Sequence, residues 1–287
     1  SNFNITAVPG ISFPYVSKFN ASMDAAKAKQ AQAQAEDKYH GTDLDEFGQL
    51  IGSYEGWQHT APSAYNATVA TLDKATADMQ LRMDTVDLFG TTYNKVIDKL
   101  SEEALADYTG LATYKALEKL ALDNENYPFA DNTTAQITDM IAQFNDGIAA
   151  LDSRMGLIDK FVAEIEAMKA LVEDSLANKG YDEYAVLEAS YNENKDADLI
   201  TPTNEEFQVM YDAICSAKAN YVAKVDYVAA KTRQIRELLA LATQLEYDFA
   251  AEIKETVEQL QDEDPALETI IREAAILQIL KNFAAGN

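Results

Sequence analysis

The stretches "RMDTVDLF" at 82–89 and "RMGLIDKF" at 154–161 carry Arg, Met, Asp and Phe in the same order, and Val86 in the first answers Ile158 in the second. Each lies mid-way along an apolar series with helical steps. The clearer series runs from Ile137 through Phe144, Leu151, Ile158, Val162 and Ile165 to Leu176 in steps of three or four, which is one seam on one continuous helix. At 1.5 Å per residue a helix over 134–177 would extend roughly 65 Å, too far for the interior of one compact domain. A second seam runs from Val69 through Leu72, Met83, Val86 and Ile97 to Leu100, and a third from Phe207 through Ile214, Tyr221 and Val228 to Leu239. The spacing predicts three long helices. The repeated stretch is expected where each long helix passes from one small bundle to the next, with Met, Val or Ile, and Phe entering cores while Arg82, Arg154 and the Asp stay on the wet side.

The helix starts support a repeat of about 70 residues. Ser63, Thr133 and Thr203 recur at that interval, each with a hydroxyl able to accept from the free amides of a first turn. Thr133 with Gln136, and Thr203 with Glu206, fit the capping box. Before each stands a breaker, "HTAP", "ADN" or "LITP", and "DEDPAL" sets Asp264 and Pro265 as a fourth start. Shorter helical patterns fall between the long ones: "TYKALEKLALDNENY" at 113–127, "EYAVLEASYNENKDA" at 183–197, and a divergent copy, "DEFGQLIGSYEGW", at 45–57. A short amphipathic helix is marginal alone in water, so each must pack on two neighbours. The expected fold is all-α: an elongated tandem array of three-helix bundles that share long continuous helices, as in spectrin-like connectivity. Its parts are an irregular N-terminal arm at 1–18 and modules at 19–80, 81–152, 153–224 and 225–287, the last shortened. "FNITAVPGISFPYV", with Pro9 and Pro14, is read as the arm.

The pattern "AMKALVE … YDEYAVLEA … TPTNEEFQVMYDAI" within 167–214 resembles the FIVAR-type helical module, which recurs in bacterial extracellular and cell-wall proteins. The likeness rests on a first helix ending in small and apolar residues, an aromatic opening the short helix, and a "TxEE" cap opening the third. The first copy lacks that cap, and the last is compressed to 61 residues between Thr203 and Asp264. The resemblance implies a secreted or cell-surface protein and a spacer, adhesion or binding role toward a surface glycan or protein.

Composition narrows the partners. Asp and Glu number 48 against 23 Lys and Arg, a net charge of −25. Such a field repels phosphate backbones and anionic lipid, so no nucleic acid partner is expected. No apolar run approaches the ~20 residues of a transmembrane helix. Cys215 is the single cysteine, which excludes an internal disulfide and a Cys cluster for zinc. The chain opens "SNFNITAVPG" without Met and is read as a mature or trimmed chain.

Motifs for chemistry are sparse. The histidines are His40 and His59; Asp37 and His40 stand one turn apart, read as a solvated helix end over an acid–base pair. Cys215 sits on an apolar helix face and reads as a small hydrophobe. The acidic loops "DNENY" at 123–127 and "NENKDAD" at 192–198 lack the glycine and terminal Glu of an EF-hand and read as solvated turns. Asn-x-Ser/Thr triplets begin at Asn4, Asn20, Asn66 and Asn132. No catalytic residue, cofactor or metal site is assigned. The segment "YEGWQHTAPSAY" at 54–65 gathers Tyr54, Trp57, His59 and Tyr65 around a loop. Trp57 is expected to plug the end of the first bundle; the rival reading is an aromatic surface that stacks on a sugar or anchors a protein. The expected function is therefore non-enzymatic, a surface spacer or binding module. Its alternatives are a single compact bundle serving as scaffold or small-ligand binder, and an enzyme without a recognisable motif.

Overall fold

The computed structural model describes residues 13–174 and 178–244, and all regular structure among them is helical. Seven α-helices follow in order: α1 Pro14–Gln34, α2 Thr42–Tyr54, α3 Pro62–Leu100, α4 Ala112–Asp123, α5 Thr134–Asp174, α6 Asp182–Asn194 and α7 Asn204–Gln244. Short 3-10 turns lie at Asp37–Tyr39, Glu103–Tyr108 and Phe129–Asp131. The long and short helices alternate as the apolar periodicity predicts. Asp264 and most of 225–287 lie outside the described residues.

Two of the expected starts are capping boxes in the structure. Thr133 N–H donates to Gln136 Oε1 at 2.8 Å while Gln136 N–H donates to Thr133 Oγ1 at 3.2 Å. The same reciprocal pair joins Thr203 and Glu206, at 3.0 and 3.2 Å. Ser63 is a correction. Helix α3 begins two residues earlier, with Pro62 in its first turn and Ala61 at the cap position, so the Ser63 hydroxyl does not cap. Proline supplies a preset φ and needs no N–H there. The expected arm at 1–18 is corrected at its end, where Pro14 opens α1 and residues 14–18 are helical; residues 1–12 of the arm lie outside the described residues.

The chain divides into two compact units, one ending at Ser153 and the other beginning at Arg154. In the first, α1, α2 and α3 pack on one another through Phe19, Met23, Leu44, Phe47, Tyr65 and Leu72, all buried. The second half of α3 meets α4 and α5 within the same unit. Phe89 on α3 lies 5.3 Å from Phe144 on α5, a Cβ at Gly147 on α5 would strike Leu117 of α4, and Tyr114 of α4 donates its hydroxyl to Leu100 O. In the second unit, Tyr184 of α6 donates to Val172 O of α5 and stacks edge-on against Tyr221 of α7, while Phe161 of α5 meets Phe207 of α7 at 5.1 Å. A short helix thus lies against two long ones in each of these three sets.

Within the repeated stretch, Met83, Val86, Phe89, Ile158 and Phe161 are buried, and Asp87 and Asp159 are exposed. The arginines overturn the expectation. Arg82 and Arg154 are only 4% and 3% exposed. Arg82 donates to the carbonyls of Asn132 and Phe129 and pairs with Asp43 at 2.9 Å. Arg154 donates to Leu199 O at 3.0 Å, Pro202 O at 2.8 Å and Asn204 Oδ1 at 3.0 Å, with its guanidinium 4.5 Å from the Phe207 ring. Burial lowers the Arg154 pKa, partly offset by Asp198, and its Nε has no hydrogen-bond partner among the described residues. A guanidinium is paid for in the core because its fork of donors reaches two carbonyls of one bend at once. Two seam positions also shift by one residue: Val96 and Phe161 are buried where Ile97 and Val162 are substantially exposed.

Tyr39 reinforces the region of α3 near Arg82. Its buried hydroxyl donates to Asp87 Oδ1 at 2.5 Å, and Lys38 Nζ stands 2.9 Å from the same oxygen. Burial acts to raise the Asp87 pKa, but the Tyr39 hydroxyl and the Lys38 ammonium together hold it below the ordinary 3.8. Gly41, at φ +151°, packs so closely on Ala130 that a Cβ would lie 2.8 Å from its Cα. The start of α2 is thereby seated against the turn that Arg82 holds.

Candidate functional site

The aromatic residues of 54–65 converge because of one glycine. Helix α2 ends at Tyr54, and Gly56 takes φ +69° with nothing near its missing Cβ, so it is chosen for conformation and not for space. The turn closes with Trp57 N–H on Tyr54 O at 3.1 Å and returns the indole to the end of the helix set. Trp57 lies 5.3 Å from Phe19, 5.7 Å from Tyr54, 5.9 Å from His59 and 5.0 Å from Tyr65. Most of these pairs are tilted or edge-on, the geometry the ring quadrupoles favour. Tyr65 is 1% exposed, and its hydroxyl accepts from His59 N–H at 3.1 Å. His59 Nδ1 in turn accepts from Ala61 N–H at 3.0 Å, which fixes the imidazole beside the indole.

Tyr54, Trp57, His59 and Tyr65 therefore form one cluster, and they divide its labour. Tyr65 is core, His59 is an exposed loop brace, and Tyr54 and Trp57 are half-buried. The last two line an open groove of about 520 Å³ together with Tyr65, Glu55, Gly56 and Gln58. Its other wall is α1. There Val16, Phe19 and Met23 turn toward the core while Asn20, Asp24 and Lys27 form the neighbouring polar stripe. Lys27 Nζ meets Glu55 at 2.9 Å and so ties the two walls. The volume falls within the roughly 300–1,000 Å³ of small-ligand clefts. The α1 half of the site went unread in the sequence, although the i, i+4, i+7 spacing of Asn20, Asp24 and Lys27 beside Phe19 and Met23 carries it.

The other candidates do not assemble. His40 Nε2 stands 3.6 Å from Asp37, and both side chains are well exposed. Among the described residues no group of three or more His, Cys, Asp or Glu side chains is placed to hold a metal ion. In the loop after α4, Asn124 donates to Leu120 O, and in the loop after α6, Asn194 donates to Ser190 O, so both act as helix ends. Asp198 Oδ1 accepts from the amides of Ile200 and Thr201, and the Thr201 side chain followed by these two amides holds its pKa below the ordinary value. Cys215 is half-buried on α7. A second groove, about 460 Å³, lies beside Arg82 and is lined by Phe47, Leu50, Met79 and Leu81 with Asp43, Glu46 and Asp78 on its rim. No described helix is long and apolar enough to cross a membrane.

No family model, curated protein or solved structure matches the chain.

Proposed function

We propose that this chain is a non-enzymatic helical-repeat protein of a bacterial surface or secretion, a FIVAR-like spacer that binds a glycan or protein through the aromatic groove on its first three helices. The observation that carries the reading is the groove itself: half-buried Tyr54 and Trp57 beside a polar stripe of α1. Rigid aromatic side chains give much contact area for little ordering cost. The long helices α3 and α5, each entering two sets of neighbours, suit a tandem helical repeat. The surface location and the spacer role rest on the family resemblance alone.

The test is a glycan and surface-protein array probed with the full chain and with Trp57→Ala. The reading expects at least one class of ligand to be bound by the wild type and lost in the variant. Identical profiles would contradict it.

A further inference from the structure

We infer that the groove between α1 and the turn at 54–58 seats an uncharged sugar ring, an inference that rests on reading this groove as the binding site. Its charge balance selects the class. The lining holds two carboxylates, Asp24 and Glu55, and one ammonium, Lys27. Lys27 and Glu55 are paired at 2.9 Å, so neither offers an unopposed charge. Asp24 is exposed and makes no ion pair or side-chain hydrogen bond among the described residues, and Asn20, one turn before it, makes none among them either. A phosphate, sulfate or uronate would meet the unpaired Asp24 with no cation to spare. A calcium ion would find far fewer than the six to eight oxygens that it takes.

A neutral polyol meets none of these penalties. The Asp24 carboxylate accepts hydrogen bonds only, and a vicinal diol supplies two hydroxyl donors. Asn20 adds both a donor and an acceptor within the same stripe. Across the groove, the Tyr54 and Trp57 rings stand at 88° with centroids 5.7 Å apart and make an aromatic corner. The C–H face of a pyranose is apolar and weakly positive, and it suits the negative face of either ring. The ligand is thus stacked on one side and hydrogen-bonded on the other. The Lys27–Glu55 bridge joins the two walls beside the ring.

Trp57 is the only tryptophan, so its emission reports on this groove alone. The full chain is titrated with neutral gluco-, manno- and galacto-oligosaccharides and, in parallel, with oligogalacturonate. The expected result is a saturable emission change with at least one neutral series and none with the acidic one. Asp24→Ala and Asn20→Ala, both on the exposed wall, should each weaken binding about tenfold. Their thermal melts should match the wild type, which separates lost contacts from lost fold. A response to the acidic sugar or to a protein ligand, with none to neutral sugars, overturns the inference and leaves the binding reading standing. Neutral-sugar binding that survives both substitutions also overturns it. Silence of Trp57 toward every ligand of the array removes the inference and the binding reading together.

Discussion

Arg82 and Arg154 each hold the two backbone carbonyls that stand one and four residues ahead of a capping threonine: Asn132 and Phe129 before Thr133, Pro202 and Leu199 before Thr203. The repeated stretch is therefore a clasp. A side chain in the middle of one long helix fixes the turn from which the next long helix starts, and the capping box orders the amides of that start. The apolar partners in the stretch, Phe89 and Phe161, pack on aromatic residues of the following elements.

Removing a clasp takes charged donors away from the turn carbonyls, of which Phe129 O keeps the Asn132 amide at 3.2 Å. Arg82→Met and Arg154→Met are each expected to cost about 2–4 kcal/mol, since two bonds from a charged, buried guanidinium are lost at each site. Lysine should not rescue either site, because a single ammonium cannot reproduce the two-pronged donation. Urea unfolding of the four variants checks this; wild-type stability in either Met variant would refute the clasp.

The caps predict a contrast. Thr133→Ala and Thr203→Ala should each cost about 1 kcal/mol, the usual worth of an N-cap hydroxyl. Ser63→Ala should change stability little, because Pro62 opens α3 and the Ser63 hydroxyl caps nothing. Equal losses at all three positions would mean that α3 starts at Ser63 after all.

Gly56→Ala places a Cβ where the backbone sits at φ +69°. The cost should be about 1 kcal/mol, from conformation alone. Because the turn carries Trp57, its emission should shift to the red as the indole loosens from Phe19 and Tyr65. Unchanged emission would show that the turn tolerates a side chain and does not position the ring.

Asp87 sets an acid dependence. Its folded pKa lies below the ordinary 3.8, so its contribution to stability is fully present above that value and is lost as pH falls through the depressed folded value. Melting curves of wild type and Asp87→Asn between neutral pH and strong acid should differ most at neutral pH and converge in acid. Parallel curves at every pH would remove Asp87 from the acid response.

The elements that the sequence made legible are those governed by local rules. The alternation of long and short helices follows from apolar steps of three and four, and the starts at Thr133 and Thr203 follow from cap chemistry. What escaped is tertiary. A buried arginine carries the same letter as a solvated one, and only the turn at Phe129–Asn132, brought near by folding, tells Arg82 from a surface charge. Likewise Ile97 and Val96 are equally apolar, so their neighbours alone decide which is buried. The aromatic cluster was visible because its four residues are close in sequence. Its polar wall on α1 was not, since Asn20 and Asp24 reach the groove only once α1 packs beside the end of α2.

The central claim is that α3 and α5 run unbroken through Arg82 and Arg154 while those side chains clasp the next helix start. Amide hydrogen exchange of the wild type and of Arg82→Met tests it most directly. The account predicts slow exchange across 80–90 and 150–160 in the wild type, with faster exchange confined in the variant to the turn at 129–132 and the first turn of α5. Rapid wild-type exchange around Met83 or Met155, or a variant whose 129–137 amides remain as protected as before, would contradict it.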